Sequence, residues 1–242
     1  MTNSIQKHIE ITIDKSHLIT IGERLYRESI DLIRELVNNA YDADAASVWV
    51  EIKEDEICVK DNGTGMDLEG LKQYFNIGSP LKRLQPKSPK FGRTRIGEFG
   101  IGKFSVLSSA SYFEVRTKKG NFSAAVIFDK EEWGKSDGRW NLPLILIDSD
   151  AEQHDGTEVI IKKLKRKFDL SEIERKIIES CPIKAENFSV YLNGRKIKSK
   201  YIAGQRIPFI EGTNFGPVYG EIIIQPLSRI EISEAGIQCK VK

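Results

Sequence analysis

The segment IRELVNNAYDADA, residues 33–45, sets Glu35, Asn39 and Asp42 along a pattern that reads as a helix. At about 100° per residue, Asn39 falls about 40° to one side of Glu35 and Asp42 about 20° to the other, so the three share one stripe. Ile30, Ile33, Val37 and Ala40 fall on the opposite side and form the expected core face. A polar stripe of this kind is ordinarily a solvated face. Two features weigh against that reading here. The stripe has no Lys or Arg to balance its carboxylates, and Asn inside a helix costs several tenths of a kcal/mol relative to Ala. A carboxylate one turn from an amide oxygen suits a water-activating base beside a metal ligand.

Three further stretches could serve the same chemistry. In VKDNGTGMD, residues 59–67, a strand ends at Asp61 and is followed by Gly63 and Gly65. Glycines there let backbone approach a flat ligand, and a buried carboxylate before them can accept a hydrogen bond from an exocyclic amine. A plain Asp-Asn-Gly turn is the alternative. In GRTRIGEFGIGKFS, residues 92–105, Gly97, Gly100 and Gly102 surround a helix start near Ile101. Such a run presents bare N–H groups to an anion at the positive end of a helix, or is simply a flexible surface loop. It is neither a Walker A loop, since Phe104 follows Gly102-Lys103, nor a dinucleotide fingerprint. In HDGTEVII, residues 154–161, Gly156-Thr157 opens a strand, and the dipeptide alone carries no meaning.

The elements that must hold these residues follow from periodicity. Residues 7–14 alternate as a strand, and 22–43 carry the first long helical pattern. Residues 47–61 read as a hairpin and 67–76 as a short helix. Residues 78–98 contain three prolines and six Lys or Arg without apolar periodicity, so a long functional loop is expected. Residues 101–110 start a helix; two strands joined at Lys119-Gly120-Asn121 follow, then strands in LPLILID and TEVIIKKL. DLSEIERKIIES is a helix that Asp169 or Ser171 can cap, and FSVYLNGRKI is a strand ending in a turn. Residues 199–242 read as strands and turns and end in an alternating segment, which predicts a piece of a longer protein.

The 242 residues, 40% apolar and 30% charged, suit a soluble globular chain, and 37 basic against 35 acidic residues give no support to general polyanion binding. Cys58, Cys181 and Cys239 are scattered without a CxxC pair, which predicts a reducing compartment and no zinc site. No apolar run reaches the ~18 residues of a membrane span. A cytoplasmic location and no membrane partner are expected.

Together and in this order, ELVNNAYDA, DNGTGM, GEFGIGKFS and GT resemble the four boxes of the GHKL ATPase superfamily. That superfamily contains gyrase B-type topoisomerases, heat-shock-90-type chaperones, mismatch-repair clamp proteins and sensor histidine kinases. NIGSPLK, GTEVIIKKL and FSVYLNG are most similar to heat-shock-90-like ATP-binding domains. The resemblance covers roughly residues 8–198. It implies an α+β fold, a two-layer sandwich of the Bergerat type: a mixed, mainly antiparallel sheet with helices on one face. It also implies an ATP-binding domain over 1–198 with a lid near 78–98, and a β-rich extension at 199–242 that could open a second domain.

The resemblance assigns ATP and Mg²⁺ as cofactors. Glu35 would be the general base and Asn39 the Mg²⁺ ligand. Asp42 would shape the pocket near ribose or adenine. Asp61 would accept from the adenine amine, with a water held by Thr157. Gly63 and Gly65 would give the backbone room, and Met66 would pack on the base. Asn76, Ser79 and Lys82 would contact phosphate or ribose. Gly97, Gly100, Ile101 and Gly102 would wrap the phosphates. Lys82, Lys90, Arg93 and Arg95 can meet polyphosphate charge. Lys103 stands where an aromatic is common in the chaperones; it contacts phosphate or marks another subfamily.

Glu35 favours hydrolysis over phosphoryl transfer, because histidine kinases usually lack that base. His8, His17 and His154 read as ordinary histidines. The expected function is slow Mg-dependent ATP hydrolysis that drives lid closure and clamp-like, nucleotide-dependent homodimerisation in a larger protein, completed by a cation from the next domain. The alternatives are an ATP-dependent partner switch with little turnover, serving a client protein, or the ATPase module of a DNA-processing machine. Only the basic clusters at 162–167 and 194–200 support DNA, and they read more readily as solvated faces.

Overall fold

Alternating apolar residues build the sheet that carries the site. The computed structural model describes residues 20, 30–76, 85–96, 106–135, 141–148, 153–199, 203–214, 216–224, 230–234 and 237–241, the last two stretches as backbone alone. Strand β1 (Ser47–Ile52) buries Val48 and Val50, and β2 (Glu56–Asp61) buries Ile57 and Val59. They pair antiparallel with Val50 opposite Val59 and Val48 opposite Asp61. Directly opposed residues share a sheet face, so this register turns Asp61 toward the core side.

Strands β3 (Ala110–Lys119), β4 (Phe122–Asp129), β5 (Leu144–Leu146), β6 (Gly156–Leu164), β7 (Ser189–Leu192) and β8 (Arg195–Lys196) complete an eight-stranded sheet in the order β5-β4-β3-β6-β2-β1-β7-β8. Every neighbouring pair is antiparallel except β1 and β7. The described helices pack on one face. They are α1 (Asp31–Asp42), α2 (Leu68–Phe75), α3 (Val106–Ser109), α4 (Lys130–Lys135) and α5 (Leu170–Ser180). Ile33 and Val37 of α1 and Ile173 and Ile177 of α5 are fully buried in one cluster with Val48, Val50, Ile57, Phe113, Val115 and Ile161. Phe113 stacks on Phe128 at 5.1 Å, and Trp133 of α4 closes against Phe128 at 5.3 Å. A four-stranded antiparallel sheet follows, from β9 (Gln205–Thr213), β10 (Gly216–Ile224), β11 (Ile230–Glu234) and β12 (Ile237–Val241).

The expected two-layer α+β architecture is what the chain adopts. Of the two possible caps for α5, Asp169 is the one used, accepting from Glu172 N–H at 2.9 Å. Asp67 caps α2 in the same way. Three elements differ from expectation. Helix α4 is unforeseen. The helix expected over 101–110 ends at Ser109, because Ala110 already pairs with Leu164 in the sheet, and residues 101–105 lie outside the described residues. Residues 85–96 form a small closed turn with Lys87 bridged to Thr94, where a structureless loop is expected. The expected strand over 7–14 lies outside the described residues, and so does the start of the helix expected from 22. No described helix is long and apolar enough to cross a membrane.

Candidate active site

Asp61 ends β2 on the helix-facing side of the sheet, in one row with Thr157 of β6 and Thr117 of β3. Both backbone donors that reach its carboxyl go to Oδ1, from Gly63 N–H at 2.8 Å and Thr157 N–H at 3.3 Å. Among the described residues nothing bonds Oδ2. Burial pushes the carboxyl up to about 6, against the opposing pull of the two N–H donors. The result is an oriented acceptor in a weakly solvated place. Thr117, absent from the sequence-based set, is 3% exposed and supports the next loop. Its hydroxyl accepts from Met66 N–H at 2.8 Å, lies 3.2 Å from Gly156 O, and is 3.5 Å from the Thr157 hydroxyl.

The glycines after Asp61 are needed for close approach rather than for flexibility. A Cβ on Gly65, whose φ is +60°, would stand 1.8 Å from Lys118 O. One on Gly63 would stand 2.6 Å from Ala43 O. The loop is therefore pressed between β3 and the end of α1 with no side-chain thickness to spare. Asn62 fastens it by accepting from Ala46 and Ser47 N–H at 2.9 and 2.8 Å. Met66 is partly buried against the core.

On α1, Ile30, Ile33, Val37 and Ala40 are at most 2% exposed, as the helical phase requires. The polar stripe is not a solvated face: Glu35 and Asn39 are half-buried and Asp42 is buried. Tyr74 of α2 lies within the electrostatic reach of both Glu35 and Asp61; burial first, then these two charges, raise its pKa. Tyr74, a residue the sequence left unmarked, is thus near both Glu35 of α1 and Asp61 at the end of β2. Glu35 and Asn39 offer hard oxygen donors one turn apart. Among the described residues there is no group of three or more His, Cys, Asp or Glu to enclose a metal. The two oxygen donors Glu35 and Asn39 fit Mg²⁺, which keeps waters and shares its shell with phosphate oxygens.

Asp42, expected beside ribose or adenine, accepts through Oδ1 from Ile96 N–H at 2.8 Å, at the end of the 85–96 turn. Arg93, expected to meet polyphosphate charge, is held elsewhere. It is 7% exposed, and its guanidinium donates to Tyr41 O, Ala45 O and Asn187 O at 3.1, 2.8 and 2.9 Å. A buried planar fork held by three backbone carbonyls inside the protein is not available to polyphosphate. Lys90 lies over the Phe91 ring, and Arg95 N–H closes the turn on Pro86 O. Asn76 is exposed and forms the C-cap of α2. Ser79, Lys82, Gly97, Gly100, Ile101, Gly102 and Lys103 lie outside the described residues. Four residues of the basic clusters are paired with carboxylates. Lys162 pairs with Glu56, Lys163 with Asp129, Lys167 with Glu54 and Arg195 with Glu174.

An antiparallel-dominated sheet with helices on one face, and a half-buried aspartate on its helix-facing side above a glycine crossing, define a two-layer α/β sandwich. Residues 28–158, more than half of the chain, match the family model of histidine kinase-, DNA gyrase B- and HSP90-like ATPases, and the chain belongs to that family. It is 28% identical over 200 residues to a putative type II restriction enzyme HgiDII of Herpetosiphon aurantiacus, covering 78% of this chain and 32% of the relative. It is 27% identical over 198 residues to the chaperone protein HtpG of Coxiella burnetii, covering 71% and 29%. It is 33% identical over 104 residues to the DNA mismatch repair protein MutL of Aquifex aeolicus, covering 42% and 24%. The matched region is about a third or less of each relative's length.

Proposed function

We propose that this chain binds ATP with Mg²⁺ and hydrolyses it slowly, and that binding closes a lid and brings two protomers together in a larger protein. The observation that carries the reading is Asp61: a half-buried residue whose carboxyl Oδ1 is held by two N–H donors and whose Oδ2 is bonded by none of the described residues, placed to meet a ligand amine. Glu35 stands on α1 as the base for the attacking water, and Asn39, one turn on, supplies the oxygen that would hold Mg²⁺ against the phosphates. When bound, the metal neutralises phosphate charge. The chain's own part is to orient the base, hold the adenine edge and exclude water from the region that Tyr74 covers.

Calorimetry with ATP and Mg²⁺ on wild type, Asp61→Asn and Glu35→Ala tests this. Asp61→Asn is expected to weaken binding by about 10- to 100-fold, the worth of a hydrogen bond to a charged group. Glu35→Ala is expected to keep affinity within about threefold while turnover falls at least about 100-fold. Wild type that fails to bind at millimolar ATP would sink the reading and favour an interaction module with a degenerate site. Binding with equal turnover in wild type and Glu35→Ala would remove the hydrolytic role and leave a nucleotide-dependent switch.

A further inference from the structure

The eight-stranded sheet ends differently at its two edges. At one, β8 is two charged residues, Arg195 and Lys196, the kind of edge that discourages a further strand. At the other, β5 and the residue after it read Leu144-Ile145-Leu146-Ile147, with no charge and each side chain at least 40% exposed, Leu146 at 71%. The other exposed large apolar residues of the described chain stand singly in sequence. Hydrogen bonding fixes which backbone groups of β5 are in use. Ile127 N–H donates to Pro143 O at 3.3 Å and Ile147 N–H to Ser123 O at 3.0 Å, on either side of the Ala125–Ile145 pair. Residues 143, 145 and 147 therefore turn their backbone toward β4, and Leu144 and Leu146 turn theirs away from it. None of the described residues bonds to the N–H or C=O of either leucine. Pro143, which has no N–H to give, stands at a position facing β4, so it removes nothing from the outer edge. Apolar side chains cover both faces of this edge. Leu144 and Leu146 oppose Val126 and Ala124 on the helix-facing side, and Ile145 opposes Ala125 on the other.

We infer that β5 is a self-association strand: two copies of this chain join edge to edge, antiparallel, about a two-fold axis through Ile145. The occupant follows from self-complementarity. With the axis at Ile145, Leu144 faces Leu146 of the second copy, and the outward N–H and C=O groups of both copies close into two hydrogen-bonded pairs. The leucines of both copies then cluster on the helix-facing side, and the two Ile145 side chains meet on the other. Neighbouring registers are poorer. An axis at Leu146 sets Asp148 against Leu144, and an axis at Leu144 calls on Leu142, which is partly buried against the core. The sheet runs on through both copies, with the helices of each on the same side. A strand this short gives a contact well below the ~1,600 Å² of a stable complex, so association is weak, with Kd on the order of 0.1–1 mM. It needs no nucleotide and does not rest on the proposed ATP site.

The test is sedimentation equilibrium of wild type and Leu146→Lys without nucleotide, from about 10 µM to about 1 mM, beside oxidative cross-linking of Ile145→Cys and Leu144→Cys. Wild type is expected to pass from monomer toward dimer across that range and Leu146→Lys to stay monomeric, since a lysine at an edge opposes strand addition. Leu146 is largely exposed, so the substitution leaves the fold intact, as circular dichroism will read. The axis makes the two Ile145 residues a non-hydrogen-bonded pair with Cα atoms about 4.5 Å apart, within disulfide reach. Ile145→Cys is therefore expected to form a covalent dimer at least about tenfold faster than wild type, whose native cysteines set the background. Leu144→Cys lies two residues out of register with its own copy and is expected to stay near that background. Wild type monomeric at about 1 mM, Leu146→Lys associating as wild type does, or no excess of Ile145→Cys over Leu144→Cys in cross-linking would each overturn the inference. All three leave the ATP site standing, because no nucleotide is present.

Discussion

At the scale of single residues the most consequential group is Asp61, because burial and ligand binding pull its proton in opposite directions. Its folded pKa of about 6 lies above its ordinary 3.8, so the folded state holds the proton more tightly than the unfolded chain. Its contribution to stability is thus fully present below the ordinary value and is lost as pH rises to about 6. Asp61→Asn removes this titration and keeps an acceptor for Gly63 and Thr157. Its melting temperature is expected to gain on wild type between about pH 4 and pH 6 and to hold that gain above, as thermal melts across the range will read. Adenosine affinity of wild type is expected to rise over the same interval, since the ionised carboxylate is the better acceptor. Glu35, Asn39 and Asp61 were legible in the sequence because helical phase and a strand-to-glycine junction are local patterns. Thr117 and Arg93 were not. A threonine in the alternating stretch YFEVRTKK looks like any β-branched strand residue. An arginine whose acceptors lie about 50 residues back and about 90 ahead leaves no local trace.

At the scale of elements, two glycines separate close approach from backbone freedom. Gly65 and Gly120 have φ of +60° and +56°, yet a Cβ would strike Lys118 O at the first and meet nothing within 4 Å at the second. Gly120→Ala is expected to cost about 1 kcal/mol from the left-handed backbone alone. Gly65→Ala is expected to cost about 3 kcal/mol or more and to abolish adenosine binding, because β3 and the loop must separate. Urea titration of both variants checks the contrast. The β1–β2 hairpin was readable because its apolar residues alternate. Helix α4, KEEWGK, was not, since six residues with one glycine give no helical period and Trp133 is placed by packing on Phe128. The 85–96 turn was read as loop because what orders it is attachment to a distant helix end.

At the scale of the molecule, the proposed cycle has a hydrodynamic signature. A non-hydrolysable ATP analogue with Mg²⁺ is expected to raise the sedimentation coefficient of wild type toward that of a dimer and to leave Asp61→Asn unchanged; wild type that stays monomeric would remove the clamp from the proposal. The two-layer architecture was legible from four ordered motifs.

The other face of the eight-stranded sheet carries no described helix. It shows Lys60, Glu158 and Arg116 side by side across β2, β6 and β3, with Arg116 bridged to Glu158 at 3.6 Å and to Glu114 at 2.6 Å. That face is therefore a natural anchoring side. A biotin or dye attached through Lys60→Cys would hang from the back of the sheet, roughly one layer spacing of ~10 Å from the helix-facing side. Immobilised that way, the chain would keep its helix-facing side, which carries Asp61 and Glu35, turned away from the support, so single-molecule observation of nucleotide exchange needs no tag near the chemistry.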